Sequence, residues 1–236
     1  MGTLKPNQSA HTEAYSRTGL VVAAFPLLLF IGLCLAWPQV MHGHAFTFQW
    51  SWVPSLDVDL RFRLDGLSLL FCLIITGTGL LVTLFSASYM ANHRHSGRFY
   101  LFLNAFMLAM LGIVTADNLL LLFIFWEATT LFSYLLIGFD HHSASARDSA
   151  KQAILVTGAG GLTLLVAILL LKTTGASLVL SDWMVTDQLV RQHPLYGVIF
   201  ITFLIGAMTK SAQVPFHFWL PNAMSAPTPI SAFLHA

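Results

Sequence analysis

Residues 119–138 read LLLLFIFWEATTLFSYLLIG, and Glu127 is the only acidic or basic residue in this run. At a rise of about 1.5 Å per residue, about 20 apolar residues form a helix long enough to cross the ~30 Å hydrocarbon core of a bilayer. The run therefore predicts a transmembrane helix with a carboxyl group near its middle. In the whole chain of 236 residues, 56% are hydrophobic and only 9% are charged, which is typical of an integral membrane protein.

Further apolar runs lie on both sides of this one, and each approaches or exceeds the length of a span. The predicted spans cover residues 20–37, 66–90, 99–114, 119–139, 152–171 and 195–220. A seventh helix is predicted to begin at Pro229, seven residues before the sequence stops, so the chain looks truncated. We predict an all-α polytopic membrane protein with about six transmembrane helices plus the start of a seventh. A polar N-terminal segment, 1–19, would precede an incomplete transmembrane domain, 20–236.

The composition also excludes several classes of function. Eleven Lys and Arg residues against ten Asp and Glu residues give a net charge of +1, which leaves no basic excess for binding nucleic acid. Cys34 and Cys72 lie in apolar runs without a second cysteine nearby, so no disulfide framework and no zinc or iron–sulfur site is expected. The glycines of 77–79 and 158–161 lack the strand of a nucleotide loop and are predicted to let helices pack closely. We therefore expect no cofactor and no metal, and no covalent or hydrolytic catalysis.

The basic residues indicate an orientation in the membrane. The first apolar run lacks a small-x-small cleavage site and is predicted to be an anchor helix. Placing alternate loops on opposite sides gives the N-terminal side six basic residues and the other side four. The six are Lys5, Arg17, Arg94, Arg98, Arg147 and Lys151, and the four are Arg61, Arg63, Lys172 and Arg191. Because basic residues concentrate in cytoplasmic loops, the N-terminus is predicted to be cytoplasmic.

Between the first two spans the pattern changes to the two-residue alternation of a strand. Aromatic residues occupy every second position, namely Phe46, Phe48, Trp50 and Trp52. Pro54-Ser55 marks a turn, and charged and apolar residues alternate again over 57–65. We predict a small external β-hairpin over 45–64 with the aromatic side chains on one face, which either contacts a neighbouring subunit or caps the helix ends. His42 and His44 precede it, but two histidines without a third ligand do not predict a metal site.

Glu127 is the most informative residue of the chain. An acidic residue at the centre of a span costs roughly 2.5–3.5 kcal/mol on insertion scales. Thr130 and Tyr134, three and seven residues later, fall on the same helical face. Glu127 is therefore predicted to face a polar interior and not lipid. Two interpretations remain open: a neutral glutamic acid hydrogen-bonded for helix packing, or a proton carrier, since a desolvated carboxyl group suits proton transfer within a membrane.

Lys210 is a second isolated charge, in an apolar segment that begins near His193. Pro215 follows five residues later. Its missing N–H and its ring, which crowds the Ser211 carbonyl, are predicted to break or kink the helix near Pro215. Carbonyl groups freed by the break must face protein or water, so a hydrated cavity beside Lys210 is expected. A lysine that simply extends its side chain to the membrane surface is the alternative.

Two histidines follow the proline. Thr228-Pro229 has the N-cap and N1 residues of a helix start, which places His235 nearly two turns into the next helix. Because imidazole titrates near neutral pH, His235 is predicted to take part in proton relay. For His217 a structural and a functional role are equally compatible with the sequence.

Several motifs together resemble one family. They are Asp65-Gly-Leu-Ser68, Thr115-Ala-Asp-Asn118, Phe125-Trp-Glu-Ala-Thr-Thr130 and residues 206–235, GAMTKSAQVPFHFWLPNAMSAPTPISAFLH. These motifs closely resemble the proton-translocating antiporter-like subunits, which include the large A and D subunits of Mrp-type cation/proton antiporters and their relatives in respiratory complex I and membrane-bound hydrogenases. Residues 154–161, ILVTGAGG, look like the Mrp A branch.

In that family the glutamate of the Trp-Glu motif and the lysine of the broken helix form a coupled pair, and the residue matching His235 continues the relay. The resemblance therefore implies that Glu127, Lys210 and His235 relay protons. It implies a subunit of a multi-subunit monovalent cation (Na+)/proton antiporter in a bacterial inner membrane, and not an enzyme. The implied partners are the other hydrophobic subunits of the complex, H+ and Na+ or another monovalent cation, and the lipid bilayer, with no nucleic acid.

Two other functions remain open at this point. The chain could be a proton-pumping subunit of a complex I-like NADH dehydrogenase or membrane-bound hydrogenase, or a structural remnant without transport. The family normally has one more N-terminal helix and a second inverted repeat with its own lysine. Because neither is found here, transport by this chain alone is not expected.

Overall fold

The computed structural model describes residues 17–53, 58–91, 93–183 and 190–235. Within these ranges, five helices are long and apolar enough to cross a membrane: α1 (Arg17–Met41), α2 (Gly66–Tyr89), α3 (Ser96–Thr115), α4 (Leu119–Ile137) and α5 (Ala144–Thr173). A shorter apolar helix, α6 (Tyr196–Lys210), follows them. These helices coincide with the apolar runs of the sequence, so the prediction of an all-α polytopic membrane protein is confirmed. Most of the predicted N-terminal segment lies outside the described residues.

Polar residues define where several of these helices begin. The Asp65 carboxylate accepts a hydrogen bond from the Ser68 backbone N–H at 3.0 Å, and the Asp65 N–H donates to Ser68 Oγ at 2.7 Å. This reciprocal capping box satisfies backbone donors that the first turn of α2 leaves free. Asn118 caps α4 and Ser143 caps α5 with their side-chain oxygens. The caps place the starts of these helices at polar positions between apolar runs.

The helices pack mainly with their neighbours in sequence, α1 with α2, α3 with α4, α4 with α5 and α5 with α6. A final helix, α8 (Thr228–His235), begins at the predicted Thr228-Pro229 start and packs against α2 and α4. Its Phe233 ring meets the Phe106 ring edge-on, with 5.7 Å between centroids. Large apolar side chains on the outside of the bundle are exposed, as a lipid-facing surface requires; Val21, Leu35 and Leu155 are each more than 70% exposed.

The predicted hairpin is present. Strands β1 (Phe46–Val53) and β2 (Val58–Leu64) pair antiparallel, with Phe46, Phe48 and Trp50 opposite Leu64, Phe62 and Leu60. Apolar residues therefore lie opposite apolar residues on one face, as the alternation predicts. Trp52 lies in a register shift between Ser51 and Val53. The predicted turn at Pro54-Ser55 lies outside the described residues.

The predicted helix break near Pro215 is also present, but the helix ends earlier than expected. Helix α6 ends at Lys210, and Ala212 adopts a left-handed backbone conformation with φ +51°. The chain continues through a 3-10 turn at Phe216–Phe218 and the short helix α7 (Trp219–Asn222). The Ser211 carbonyl is thus no longer in helical register with Pro215. The backbone turn at 211–213 ends the helix before the proline is reached.

Candidate functional site

Lys210 is the last residue of α6, and its half-buried side chain reaches across to α4. Its Nζ donates to Thr130 Oγ1 at 2.9 Å and to the Trp126 carbonyl oxygen at 3.3 Å. The same atom lies 5.6 Å from the centroid of the Trp126 ring, within the range of a cation–π contact. A cation at the C-terminal end of a helix is also favoured by the helix dipole. The lysine therefore turns toward α4 and does not simply extend toward the membrane surface.

Glu127 lies on α4 between the two residues that hold Lys210. Its Oε1 atom is buried and has no hydrogen-bond partner among the residues that the structure describes. A methyl group at Gly161 would overlap this oxygen, so the absence of a side chain on α5 makes the room that the carboxyl group occupies. An open cavity of about 410 Å³ adjoins Glu127, Thr130 and Gly158. One side of the carboxyl group therefore faces close-packed α5, and the other faces an open cavity whose lining also includes Ile124, Leu131 and Ile154.

Glu127 and Lys210 lie close enough for their charges to interact. They form no ion pair within 4.0 Å with each other, unlike Arg61 with Asp117, Arg63 with Asp65 and Lys151 with Asp148. The Lys210 ammonium group is hydrogen-bonded instead to Trp126, the residue before Glu127, and to Thr130, three residues after it. Tyr134, expected on the same polar face, packs with Ile137 and Trp219 in an apolar cluster.

The helix break presents one of its freed carbonyl groups to protein. The Thr209 carbonyl accepts a long hydrogen bond of 3.4 Å from the Ala212 N–H within the turn, and it accepts another from the Trp219 indole Nε1 of α7 at 2.9 Å. A cavity of about 470 Å³ beside the break is lined mainly by apolar residues, among them Val156, Ile205 and Pro215. Thr130, which accepts a hydrogen bond from Lys210, lines the other cavity, the one at Glu127.

Three of the residues singled out in the sequence stand apart from this pair. His235 is exposed at the end of α8, and His217 and Pro215 are exposed after the break. Within the described part of the chain, no hydrogen bond or ion pair joins His235 to Lys210 or to Glu127. In the same ranges, no three His, Cys, Asp or Glu side chains are grouped so that they could hold a metal ion.

Three features of the site go beyond what the sequence predicts. Thr130 was expected beside Glu127, but its bond to Lys210 was not. The glycines at 160 and 161 were expected to pack helices; they do so by making room for Thr209 and for the Glu127 carboxyl group. Trp126 supplies both a carbonyl and a ring to Lys210, and its own Nε1 is buried with no hydrogen-bond partner in the described ranges. For the close contacts of α5, the sequence signal was the run of small residues at 158–161.

A second polar cluster lies where the hairpin meets the helix ends. The Asp117 carboxylate is 3% exposed, forms an ion pair with Arg61 Nε at 3.1 Å and accepts from both the N–H and the hydroxyl of Ser181, each at 2.9 Å. The Asp117 N–H also donates to the Arg61 carbonyl. We call Arg61, Asp117 and Ser181 the hairpin-side network. It ties β2, the start of α4 and the segment after α5 together at one end of the bundle.

Comparison with known proteins places the chain in a family. Residues 116–236 match the family described as NADH:quinone oxidoreductase/Mrp antiporter, TM, and residues 50–100 match the family of the NADH-ubiquinone oxidoreductase (complex I) chain 5 N-terminus. A probable K+/H+ antiporter protein of Rhizobium meliloti (strain 1021), named as an A/B subunit, is 44% identical over 90% of this chain and 21% of its own length. The A1 subunit of a Na+/H+ antiporter of Staphylococcus haemolyticus (strain JCSC1435) is 40% identical over 92% of this chain and 27% of its own length.

Two solved structures contain chains that are similar to this one. A chain of the Mrp complex from Dietzia sp. DQ12-45-1b is 36% identical with a TM-score of 0.74, over 92% of this chain and 25% of that one. A chain of the membrane-bound sulfane sulfur reductase, an archaeal respiratory membrane complex, has a TM-score of 0.77 at 19% identity, over 90% of this chain and 43% of that one, and shows the fold alone. The chain thus spans about a quarter of the length of the curated relatives that it matches.

Proposed function

Because the chain belongs to the NADH:quinone oxidoreductase/Mrp antiporter membrane family and is similar to the A subunits of Mrp-type antiporters, we propose that it works in the A subunit of a multi-subunit monovalent cation/proton antiporter. Na+ is the cation that we propose first. One observation carries the proposal: a carboxyl group with a buried, unpaired oxygen lies within a span, beside a lysine that is bonded to the same helix. Most membrane carboxyl groups without a function would be expected to find a partner.

The proposed chemistry is a change of charge on Glu127 that moves Lys210. A charged Glu127 attracts the ammonium group, whereas a protonated Glu127 does not, so the lysine is then free to hand its proton onward. The unpaired oxygen makes the neutral form accessible, because a charge without a partner is costly in the membrane interior. The cavity beside Glu127 offers room for the water that brings the proton.

The next step of the proposed relay leads to His235. Its place on α8 and its exposure suit a group that receives a proton from water. A path from Lys210 to His235 would run through ordered water, because the two side chains are not in direct contact. The break between α6 and α7 lies between the two residues in sequence.

We further propose a bacterial inner-membrane location with a cytoplasmic N-terminus. The hairpin, the turn before α4 and the segment after α5 meet at one end of the bundle, through the hairpin-side network. These three segments therefore lie on the same side of the bundle, which supports the assignment of alternate loops to opposite sides that underlies the proposed orientation. The loops with Arg94, Arg98 and Arg147 would then face the cytoplasm, in accord with the positive-inside rule.

A proton-pumping subunit of a redox complex is the second candidate. One matched family is described by both NADH:quinone oxidoreductase and Mrp antiporter, and the other by complex I. The two relatives at 40% and 44% identity are, however, named as antiporter proteins of the A and A/B kinds. These names favour cation/proton exchange over redox-driven pumping.

The test uses the assembled complex in inverted membrane vesicles, with Na+- or K+-driven proton movement followed by a pH-sensitive dye. We expect Glu127→Gln to abolish proton movement without loss of assembly, because the amide keeps the volume but cannot carry a proton. Asp59→Asn is the matched control, since Asp59 is a hairpin residue on β2, outside α4, whose carboxylate accepts a hydrogen bond from Gln49 Nε2. Wild-type proton movement in assembled Glu127→Gln would refute the proposal.

A further inference from the structure

We infer that Thr130 is a positioning residue that holds the Lys210 ammonium group whenever Glu127 does not. The inference rests on the proposed function, because it assigns a role within the same proton relay. Thr130 Oγ1 is the only side-chain atom in the described part of the chain that accepts a hydrogen bond from Lys210 Nζ, at 2.9 Å. The threonine is 3% exposed, so its hydroxyl group is directed into the bundle and not toward lipid.

The orientation of the Thr130 hydroxyl follows from its other contact. Its O–H group donates to the Trp126 carbonyl at 3.3 Å, as Ser and Thr commonly do within membrane helices. With the hydrogen engaged there, the lone pairs of Oγ1 remain for Lys210. Thr130 is therefore an acceptor toward the lysine, and hydrogen bonds donated by a charged ammonium group are stronger than those between neutral groups.

The position of Thr130 makes it an alternative to Glu127. Residues three apart on a helix have Cβ atoms about 5–6 Å apart on one face, so a long lysine side chain reaches either residue by rotating its outer bonds. At Glu127 the ammonium group meets an opposite charge, whereas at Thr130 it meets a neutral hydroxyl. The charge of Glu127 then decides between two nearby sites. Without Thr130, a lysine released by a protonated Glu127 would keep only the Trp126 carbonyl and ring.

The packing of α5 against α6 keeps Lys210 within reach of both sites. Thr209, the residue before Lys210, occupies space that only a glycine at position 160 leaves open. The Thr209 carbonyl is held by Trp219 Nε1. The backbone at the end of α6 is therefore fixed on both sides, and the freedom that remains lies in the lysine side chain itself.

The test compares Thr130→Val, Thr130→Ser and a control in the assembled complex. Valine keeps the shape and removes the acceptor, so we expect the maximum rate of cation-driven proton movement to fall by about tenfold or more, the value of a hydrogen bond to a charged group. The alkaline limb of the pH profile should move to lower pH, because the ammonium form loses a stabilising acceptor. The cation concentration for half-maximal rate should stay the same, and Thr130→Ser should restore both rate and profile.

Thr76→Val is the matched control, because Thr76 is fully buried in α2 and donates only within its own helix, to the Cys72 and Leu73 carbonyls. It should change neither the rate nor the pH profile. If Thr130→Val does not assemble, Thr130→Cys, with a thiol of similar size and weak acceptor strength, should show the same shift in pH profile. An assembled Val or Cys variant with the wild-type rate and profile would overturn the inference, as would failure of Thr130→Ser to restore them.

The outcome is separable from that of the proposed function. Loss of transport in Glu127→Gln with normal transport in Thr130→Val would leave the glutamate relay in place and remove the role of Thr130. Normal transport in Glu127→Gln would remove the relay, and with it the basis of the inference.

Discussion

Asp117 and Glu127 lie only ten residues apart, yet the protein treats their carboxyl groups in opposite ways. In the hairpin-side network both Asp117 oxygens are paired, one of them with an arginine. In the span, Glu127 has a buried oxygen that no described residue pairs with. A fully paired carboxylate holds its charge and fixes the chain around it, whereas an unpaired one can lose its charge at little cost. The difference separates a structural acid from one suited to carry a proton.

The largest effect that we expect from this comparison is on stability at Asp117. Arg61→Met should leave a buried carboxylate without its cation and destabilise the protein by about 3–5 kcal/mol. Thermal unfolding of the purified complex, and the amount of complex assembled in membranes, would measure this. Complex that still assembles should transport normally, because the network lies apart from the proton site.

Arg63→Met is the matched control, since Arg63 lies two residues away on the same strand and pairs at 3.4 Å with an Asp65 side chain that is 43% exposed. Such an exposed pair contributes at most about 1 kcal/mol. If Arg61→Met and Arg63→Met destabilised the protein equally, the buried pair of Asp117 would be worth no more than the exposed pair of Asp65. Arg61→Met combined with Asp117→Asn should recover part of the loss, because the amide is cheaper to leave unpaired than the charge.

A second prediction concerns the space around Glu127. Gly161→Ala places a methyl group on the position of Glu127 Oε1, and the carboxyl group must swing away. We expect proton movement to fall by about tenfold, since small displacements of a reacting group have effects of this size or larger. Assembly should change little, because the displaced atom is the end of a flexible side chain. The measurement is the vesicle assay with the amount of complex determined in parallel.

Gly158→Ala tests whether the effect is specific to that space. A methyl group at this position meets no atom within 4 Å, and alanine favours helix more than glycine does. Transport should remain normal and stability should hold or rise. Loss of transport in both variants would show that the defect is not specific to the position of the Glu127 carboxyl group, because a methyl group at Gly158 would enter the cavity without touching that group.

Much of the fold could be predicted from the sequence because the governing signals are local. Span length follows from the number of consecutive apolar residues, and the hairpin follows from its alternation. Glu127 and Lys210 stood out because a lone charge in an apolar run needs a reason. Each of these signals is carried by residues within one segment, so no knowledge of the packing is required to find them.

The partners of those charges could not be predicted, because they depend on how distant segments pack. The bond from Lys210 to Thr130 joins residues 80 apart, and that from Ser181 to Asp117 joins residues 64 apart. Both depend on the depth and rotation of one helix relative to another, which the hydrophobic pattern does not define. The end of α6 differed for another reason: Ala212, a residue without a turn preference, takes the left-handed conformation before Pro215 can act.

The smallest effect is expected at Asp65, the exposed acid beside the hairpin-side network. Partial burial raises the pKa of Asp65, but the backbone N–H and hydroxyl of Ser68 and the Arg63 guanidinium outweigh it, so the pKa lies below its ordinary value. The ionised form therefore contributes stability at neutral pH, and this is lost as the pH falls through the folded-state pKa.

Asp65→Ala removes the cap of α2 and should cost about 1 kcal/mol. Asp65→Asn keeps a capping oxygen, so it should be nearly as stable as wild type at pH 7 and should lose less stability on acidification. Thermal unfolding of the complex at neutral and acidic pH distinguishes the two, with transport by the assembled complex unchanged in both. A transport defect in Asp65→Asn would mean that charge at the hairpin end takes part in proton movement, and the division between a structural acid and a proton-carrying acid would then fail.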